Sequence, residues 1–260
     1  MSWIHALPRK IMSQRNPILL VVFLLLAWQF LPVMLDVPTY ILPPLSGVFG
    51  VFEDKLPFLL RQTLPTLYEI ILGFVFSAVV GVGLGIAIGQ FKVVQETVYP
   101  LLIVVNSIPK VALAPLIIIW LGFGMTSIVT IIVLISFFPI LINTIVGLSN
   151  VNPQMVELVR TMTPSRTKEF LRVRVPSSIP YILAGMRTSV TLVAVGAVVA
   201  EFVVGQSGLG FVILSAQQSL DVATIFACIA LLVIISLAMF GALIAIERQL
   251  MPWRKDIEIM

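Results

Sequence analysis

The chain has 260 residues, 59% of them hydrophobic and only 11% charged, with 16 Lys and Arg against 12 Asp and Glu, and a mean hydropathy of +1.11. So few charges exclude a soluble globular domain of this size and place the chain in a bilayer. A single cysteine, Cys228, and a single histidine, His5, exclude a disulfide framework, a Cys/His metal cluster and a His-based catalytic centre, while the basic balance is that of membrane-protein loops rather than of a nucleic-acid binder.

Hydrocarbon holds no water to satisfy backbone polar groups, so only helices or closed barrels span it. The apolar runs last about 20 residues and lack the ten-residue alternation of a barrel. An all-α integral membrane fold is predicted, with about six spans at residues 18–35, 64–89, 97–121, 126–147, 178–200 and 222–246. Arg9, Lys10 and Arg15 precede the first run, Ile18 to Leu35. That order is like a signal peptide, but no small-x-small cleavage site follows and Pro32 and Asp36 close the run, so an uncleaved span is expected. Pro43 and Pro44 then break the chain, and Ser46 is a candidate cap for a short amphipathic helix on the membrane surface. Residues 1–62 thus form a tail, a first span and an external segment, and residues 63–260 a core domain.

In the second span Ser77, Gly81, Gly85 and Gly89 recur every four residues and form a smooth ridge that lets a neighbouring helix approach; packing within the chain is favoured over a dimer seam. Mid-span glycines with no Lys after them exclude a phosphate-cradling loop. In the third span Pro109 and Pro115 each remove a backbone donor, and Asn106, Ser107 and Lys110 are polar. Bent polar segments are tolerated at membrane depth only inside protein or along a cavity, which makes this segment a candidate wall of a translocation path.

Between spans four and five, residues 150–177 form a charged loop. Asn152 is a candidate cap, Pro153 suits a first helical position, Pro164 interrupts, and Ser165 caps a second helix expected to end at Pro176. Five basic residues, Arg160, Arg166, Lys168, Arg172 and Arg174, exceed what orientation alone requires, and Leu158, Met162, Phe170 and Leu171 among them read as a docking surface. With both termini cytoplasmic, twelve basic residues lie inside and two, Lys55 and Arg61, outside, so the positive-inside rule gives an N-in/C-in topology with this loop in the cytoplasm. After the fifth span Gly205, Gly208 and Gly210 suit an outer re-entrant turn, followed by Gln217 and Gln218 on a short helix.

Charges within spans are costly and point to pathways. Glu69, Asn106, Lys110, Asn143, Arg187, Glu201 and Gln217 are the path candidates. Structural roles compete: Lys110 snorkelling, Asn143 bonding its own helix, and Arg187 paired with Glu201.

The loop resembles the coupling, or EAA, loop of permease subunits of bacterial ATP-binding-cassette importers, through Glu157, Arg160, Ser165, Val173, Pro176, Pro180 and Ile182. YILPPLSGV, SIPKVALAPLIIIWLGFG, FFPILINTIVGL, LAGMRTSVTLVAVGAVVAEFVVGQSGLG and ERQLMPWR extend the resemblance, from Tyr40 to Arg254, to the nitrate, sulfonate and taurine branch. The resemblance implies a multi-pass protein of the bacterial inner membrane, working as a homodimer. Two cytoplasmic P-loop ATPase subunits would bind ATP and Mg, and a periplasmic or extracellular binding protein would deliver solute. It also implies ATPase-coupling roles for Glu157, Arg160, Met162, Thr163, Ser165, Phe170 and Pro176. The chain itself has no GxxxxGK[ST] loop, so no catalytic site, cofactor or metal of its own is expected, and nucleic acid is not a partner. Thr163 stands where the pattern has glycine, Leu158 and Val159 where it has small residues, and Glu69 where the branch commonly has arginine. The reversed charge at Glu69 favours a vitamin or heterocyclic precursor over a nitrate, sulfonate or taurine-type anion. An ATPase-independent secondary transporter would want inverted repeats or paired intramembrane carboxylates; no repeat is read, and only Glu201 lies deep in a span.

Overall fold

The computed structural model describes residues 7–162 and 165–251, with backbone alone for residues 7–16 and for Lys92, Arg160, Met162 and Arg166. His5, Thr163, Pro164, Trp253, Arg254 and Lys255 lie outside the described residues. The described chain is helical: α1 (Leu7–Met34), α2 (Leu45–Gly89), α3 (Lys92–Asn106), a 3₁₀ turn (Lys110–Leu113), α4 (Ala114–Leu121), α5 (Met125–Ser149), α6 (Pro153–Met162), α7 (Arg166–Glu169), a π turn (Phe170–Arg174), α8 (Val175–Val204), α9 (Leu209–Gln218) and α10 (Val222–Leu250). Five helices are long and apolar enough to cross a membrane, and α3 with the 3₁₀ turn and α4 forms a further pair bent by 81°.

Contacts divide the chain into two units, one drawn from residues up to Leu60 with Val212–Ala230, the other from Arg61–Phe211 with residues from Leu231 on. In the first, α1 exposes apolar side chains from Ile18 on, such as Leu19 and Phe23, as a lipid-facing span does. Its far end is anchored where Trp28 Nε1 donates to the Pro43 carbonyl at 3.0 Å and the Trp28 ring meets Phe226. Lys55 donates to Asp221 Oδ2 at 2.8 Å and to Thr224 at 3.1 Å. Partial burial opposes the Asp221 charge, but hydrogen bonds from Lys55 and Thr224 hold its carboxyl below the ordinary range.

Three expectations are corrected here. No separate amphipathic helix follows Pro44: α2 is one helix of 45 residues, about 67 Å at 1.5 Å per residue, more than twice the hydrocarbon thickness. Its charges at Glu53, Asp54, Lys55 and Arg61 sit on that continuation. Ser46 does not cap it; Gln29 instead accepts from the Ser46 amide at 2.8 Å and donates to its hydroxyl at 3.1 Å. The helix after Ser165 does not stop at Pro176, because that proline lies in the first turn of α8, where a missing N–H breaks little, and the π turn carries the backbone through.

The second unit is built on α5. The ridge of α2 meets a matching ridge on α5 rung by rung. A Cβ on Gly81 would come within 2.8 Å of Ile140, on Gly85 within 2.5 Å of Thr144 and on Gly89 within 2.9 Å of Leu148. Ser77 and Ser136 hydroxyls hydrogen-bond at 2.7 Å between them. Both series ascend together, so α2 and α5 are parallel. A chain that leaves α2 at Gly89 and enters α5 in parallel has to return across the same thickness, and only α3 to α4 lies between. The bent pair is therefore the third of six crossings.

Helix α8 packs antiparallel on α5. Gly147 faces Ser178 and Tyr181, Gly185 faces Pro139 and Asn143, and Gly196 faces Ile132, while Ser189 Oγ donates to the Ser136 carbonyl at 2.7 Å. Ile131, Ile132, Ile140, Leu141, Ile145 and Leu148 of α5 are fully buried between these neighbours.

Replacing Gly85 with Leu is expected to separate α2 from α5 and cost about 1–3 kcal/mol, the range for overpacking. At Gly83, where an added Cβ meets nothing within 4 Å, the same change is expected to be neutral. Thermal unfolding of the two variants in detergent compares them directly.

Candidate functional site

The loop after α5 is built as its caps foretell. Asn152 Oδ1 accepts from the Gln154 amide at 2.9 Å and Ser165 Oγ from the Lys168 amide at 3.4 Å, so each short helix starts on a polar cap. Met155, Leu158 and Leu171 are exposed, as are Glu157 and Pro176, while Phe170 and Ser165 are half-buried. Thr163 and the side chains of Arg160 and Met162 lie outside the described residues. Glu169 is buried and accepts from Arg174 Nε at 3.1 Å. Beside this pair opens a cavity of about 660 Å³ lined by Gly89, Glu96, Ser149, Glu157 and Arg174 among others. The far end of α2, the start of α3 and the charged loop therefore share one end of this unit, the arrangement the positive-inside count predicts.

The third crossing breaks at Ser107 to Pro109, not at Pro115, which occupies the first turn of α4. The freed amides are retained by tight turns, Ser107 to the Val104 carbonyl at 3.1 Å and Ala112 to Pro109 at 3.0 Å. Lys110 Nζ donates to Asn106 Oδ1 at 2.7 Å and stands 5.2 Å from the centre of the Phe138 ring. Phe138 is midway along α5, so this half-buried cation lies near mid-membrane depth. Among the described residues its hydrogen bonds go to Asn106 alone, through Oδ1 and the carbonyl.

At the opposite end of α8 from the charged loop, Glu69 and Glu201 are 3% and 1% exposed, near enough for each to feel the other's charge. Sequence reasoning found one deep carboxylate; the fold brings two together. Around them the four amides that open α9 all find side-chain acceptors. Gly208 donates to Gln62 Oε1 and Leu209 to Thr66 Oγ1, each at 2.8 Å, and Glu201 takes the amides of Gly210 and Phe211. Thr66 also donates to Glu201 Oε1 at 2.6 Å. The orphan donors of a helix N-terminus are thereby satisfied, with negative charge at the positive end of its dipole. Gly208 and Gly210 admit no side chain: Gly208 has φ +104° and a Cβ there would overlap the Glu201 carboxyl, as would one on Gly210 at 2.6 Å. Gln62 and Thr66 were not anticipated: Gln62 precedes the stretch read as membrane, and Thr66, just inside it, carries no charge to mark it.

The remaining candidates separate. Asn143 Nδ2 donates to the Pro139 carbonyl of its own helix at 2.8 Å, and Gln217 is exposed on α9. Arg187 pairs with Glu247 of α10, not with Glu201, which is about 21 Å further along α8 at 1.5 Å per residue. Glu247 was missed because the ERQ sequence read as the start of a cytoplasmic tail. A cavity of about 360 Å³ bordered by Pro180, Tyr181, Ala184, Arg187 and Glu247 opens beside the pair. Among the described residues no group of three or more His, Cys, Asp and Glu is placed to hold a metal ion.

Residues 77–251 match the family described as the binding-protein-dependent transport system inner membrane component. The formylaminopyrimidine transport permease protein ThiX of Halalkalibacterium halodurans is 34% identical, over 92% of this chain and 96% of its own. The riboflavin transport system permease protein RibX of Chloroflexus aurantiacus is 35% identical, over 88% of this chain and 87% of its own. The taurine transport system permease protein TauC of Escherichia coli is 27% identical, over 92% and 89%.

Removing one partner of the Arg187–Glu247 pair leaves the other charge partly buried and unpaired, whereas exchanging the two charges restores a pair. Arg187→Glu and Glu247→Arg are each expected to lower thermal stability, and the double variant to recover part of the loss, measured as a double-mutant cycle in detergent.

Proposed function

The chain belongs to the family of inner membrane components of binding-protein-dependent transport systems, and from that membership we propose how it works as an importer permease: two copies form the translocation path, and two separate P-loop ATPase subunits, binding ATP and Mg, drive it from the cytoplasm. The chain carries the solute and leaves hydrolysis to those subunits. The observation that carries this reading is the unbroken helix from Arg166 through the π turn to Val204. A rod of that length has its docking end among Glu157, Ser165, Phe170, Pro176 and the backbone of Arg160, Met162 and the loop, and its other end at the opposite membrane face. Closure of the ATPase subunits on the loop tilts the span as a whole, which switches access between the two sides. Pairing of two copies is supported by the third crossing, whose break at Asn106 to Pro109 is exposed in a single chain, where irregular backbone at membrane depth needs protein or a water-filled cavity around it.

The solute is a small nitrogen heterocycle or related vitamin precursor, by the names that ThiX and RibX carry. A second reading, a small organic anion of the taurine kind, is favoured by the Lys110 cation on the broken span, where its own hydrogen bonds leave it a net positive charge. Glu69 no longer bears on this choice, being buried beside Glu201.

The chain, tagged and gently purified from its native membrane, is expected to bring one ATPase subunit per permease copy. In proteoliposomes with its partners, Glu157→Ala is expected to keep ATPase binding while losing most uptake. A chain that purifies alone and moves solute down an ion gradient would overturn the reading. Titrating the partner binding protein with aminopyrimidines, flavins and taurine separates the two solute classes.

A further inference from the structure

We propose that Glu169 and Arg174 are positioning residues for coupling: their ion pair holds the helix in its π form at Phe170–Arg174 and so sets the angle at which α6 and α7 meet the span. The spacing carries the inference. Residues five apart lie about 140° apart around an α-helix, whereas residues three or four apart share a face. Glu169 Oε1 nevertheless accepts from Arg174 Nε at 3.1 Å. The π turn makes that contact possible, because the Val175 amide reaches the Phe170 carbonyl five residues back and brings each residue over the fifth before it. The pair exists only in that form of the helix.

The sequence holds a competitor. In EFLRVR, Arg172 follows Glu169 by three residues, the spacing that an α-helix brings over the carboxylate. In the structure Arg172 is exposed, while Val173 and Glu169 are buried. A buried carboxylate keeps a cation beside it, so the choice between Arg174 and Arg172 is a choice between π and α closure. Passing from one to the other turns everything on the N-terminal side by one residue, about 100° around the axis and about 1.5 Å along it. The exposed side chains Met155 and Leu158 stand on that side, as does Glu157, which borders the same cavity as Arg174. Arg174 thereby holds the docking face at one azimuth against the span, so that a push on the loop tilts α8 instead of turning it about its own axis. This consequence rests on the docking reading above; the lock itself rests on the helix alone.

Two measurements on the full chain test it. After Gln154→Cys and Thr191→Cys in a Cys228→Ala background, spin labels on these exposed positions of α6 and α8, with labelled chains diluted among unlabelled ones, report the azimuth as a distance within one chain. Arg174→Ala is expected to shift that distance by several ångström in a protein that stays folded, because Arg172 takes over Glu169. Coupling is read without a solute, in the complex with its ATPase, as the change in the rate at which an impermeant maleimide reaches Ser107→Cys from the outer face on trapping with ATP and vanadate. Arg174→Ala is expected to make that change about tenfold smaller, an ordinary size for coupling between two sites. Glu169→Arg combined with Arg174→Glu keeps the five-residue spacing and sets like charges at positions 169 and 172, so it is expected to restore both readouts. An Arg174→Ala protein with the wild-type label distance overturns the lock, and one with a shifted distance but the wild-type maleimide response overturns its role in coupling. A wild type that brings no ATPase overturns the docking reading instead, and the label distance, taken on the chain alone, still decides the lock.

Discussion

Lipid tails are as apolar as leucine, so a helix in a bilayer gains nothing by hiding an oily face; what holds helices together is how closely their backbones can come. The rest of the second unit depends on that constraint being met along α5. Glycine and serine on α2 bring one neighbour close, and Gly147, Gly185 and Gly196 bring α8 close on another side. Polar groups that would be costly in hydrocarbon are turned inward as links: Ser77 to Ser136, and Ser189 to the Ser136 carbonyl. With α5 wedged between two neighbours, α3 and α4 are left to complete the crossing at the open side, and there the break and its polar residues are found.

Helix α8 then joins two chemistries at its ends. One end emerges from a charged loop with exposed apolar side chains, and the other carries Glu201 into the amides that open α9. A force applied at the loop reaches the far turn through a single hydrogen-bonded rod, with the π turn its one local irregularity. The clamp at the far turn is made of hydrogen bonds rather than packing, which suits a contact that has to form and release without unfolding its surroundings.

Much of this was legible in the chain. Composition fixed the bilayer, the run lengths located the spans, and the four-residue spacing of Ser77, Gly81, Gly85 and Gly89 announced a close helix contact; Asn152 and Ser165 cap as their positions suggest. What was not legible has a common physical origin. Local signals say where a helix wants to stop, but the charges from Glu53 to Arg61 and the proline at 176 are absorbed by a helix that continues past them. Pairings across the sequence leave no local trace at all: nothing near Arg187 points to Glu247, and nothing near Glu69 points to Glu201, because each partner is supplied by a helix far away in the chain.

The ladder between α2 and α5 has one more property. Two combs of equal pitch mesh as well after a slip of one tooth as before it, and a glycine rung is indifferent to which apolar side chain it receives. Position along the comb is consequently degenerate for every glycine rung. Ser77 and Ser136 break that degeneracy, since a hydroxyl displaced by one turn, about 5.4 Å, faces a methyl instead of its partner. A single polar rung acts as the index mark that sets the vertical position of one span against another, as one buried polar residue sets the register of a coiled coil.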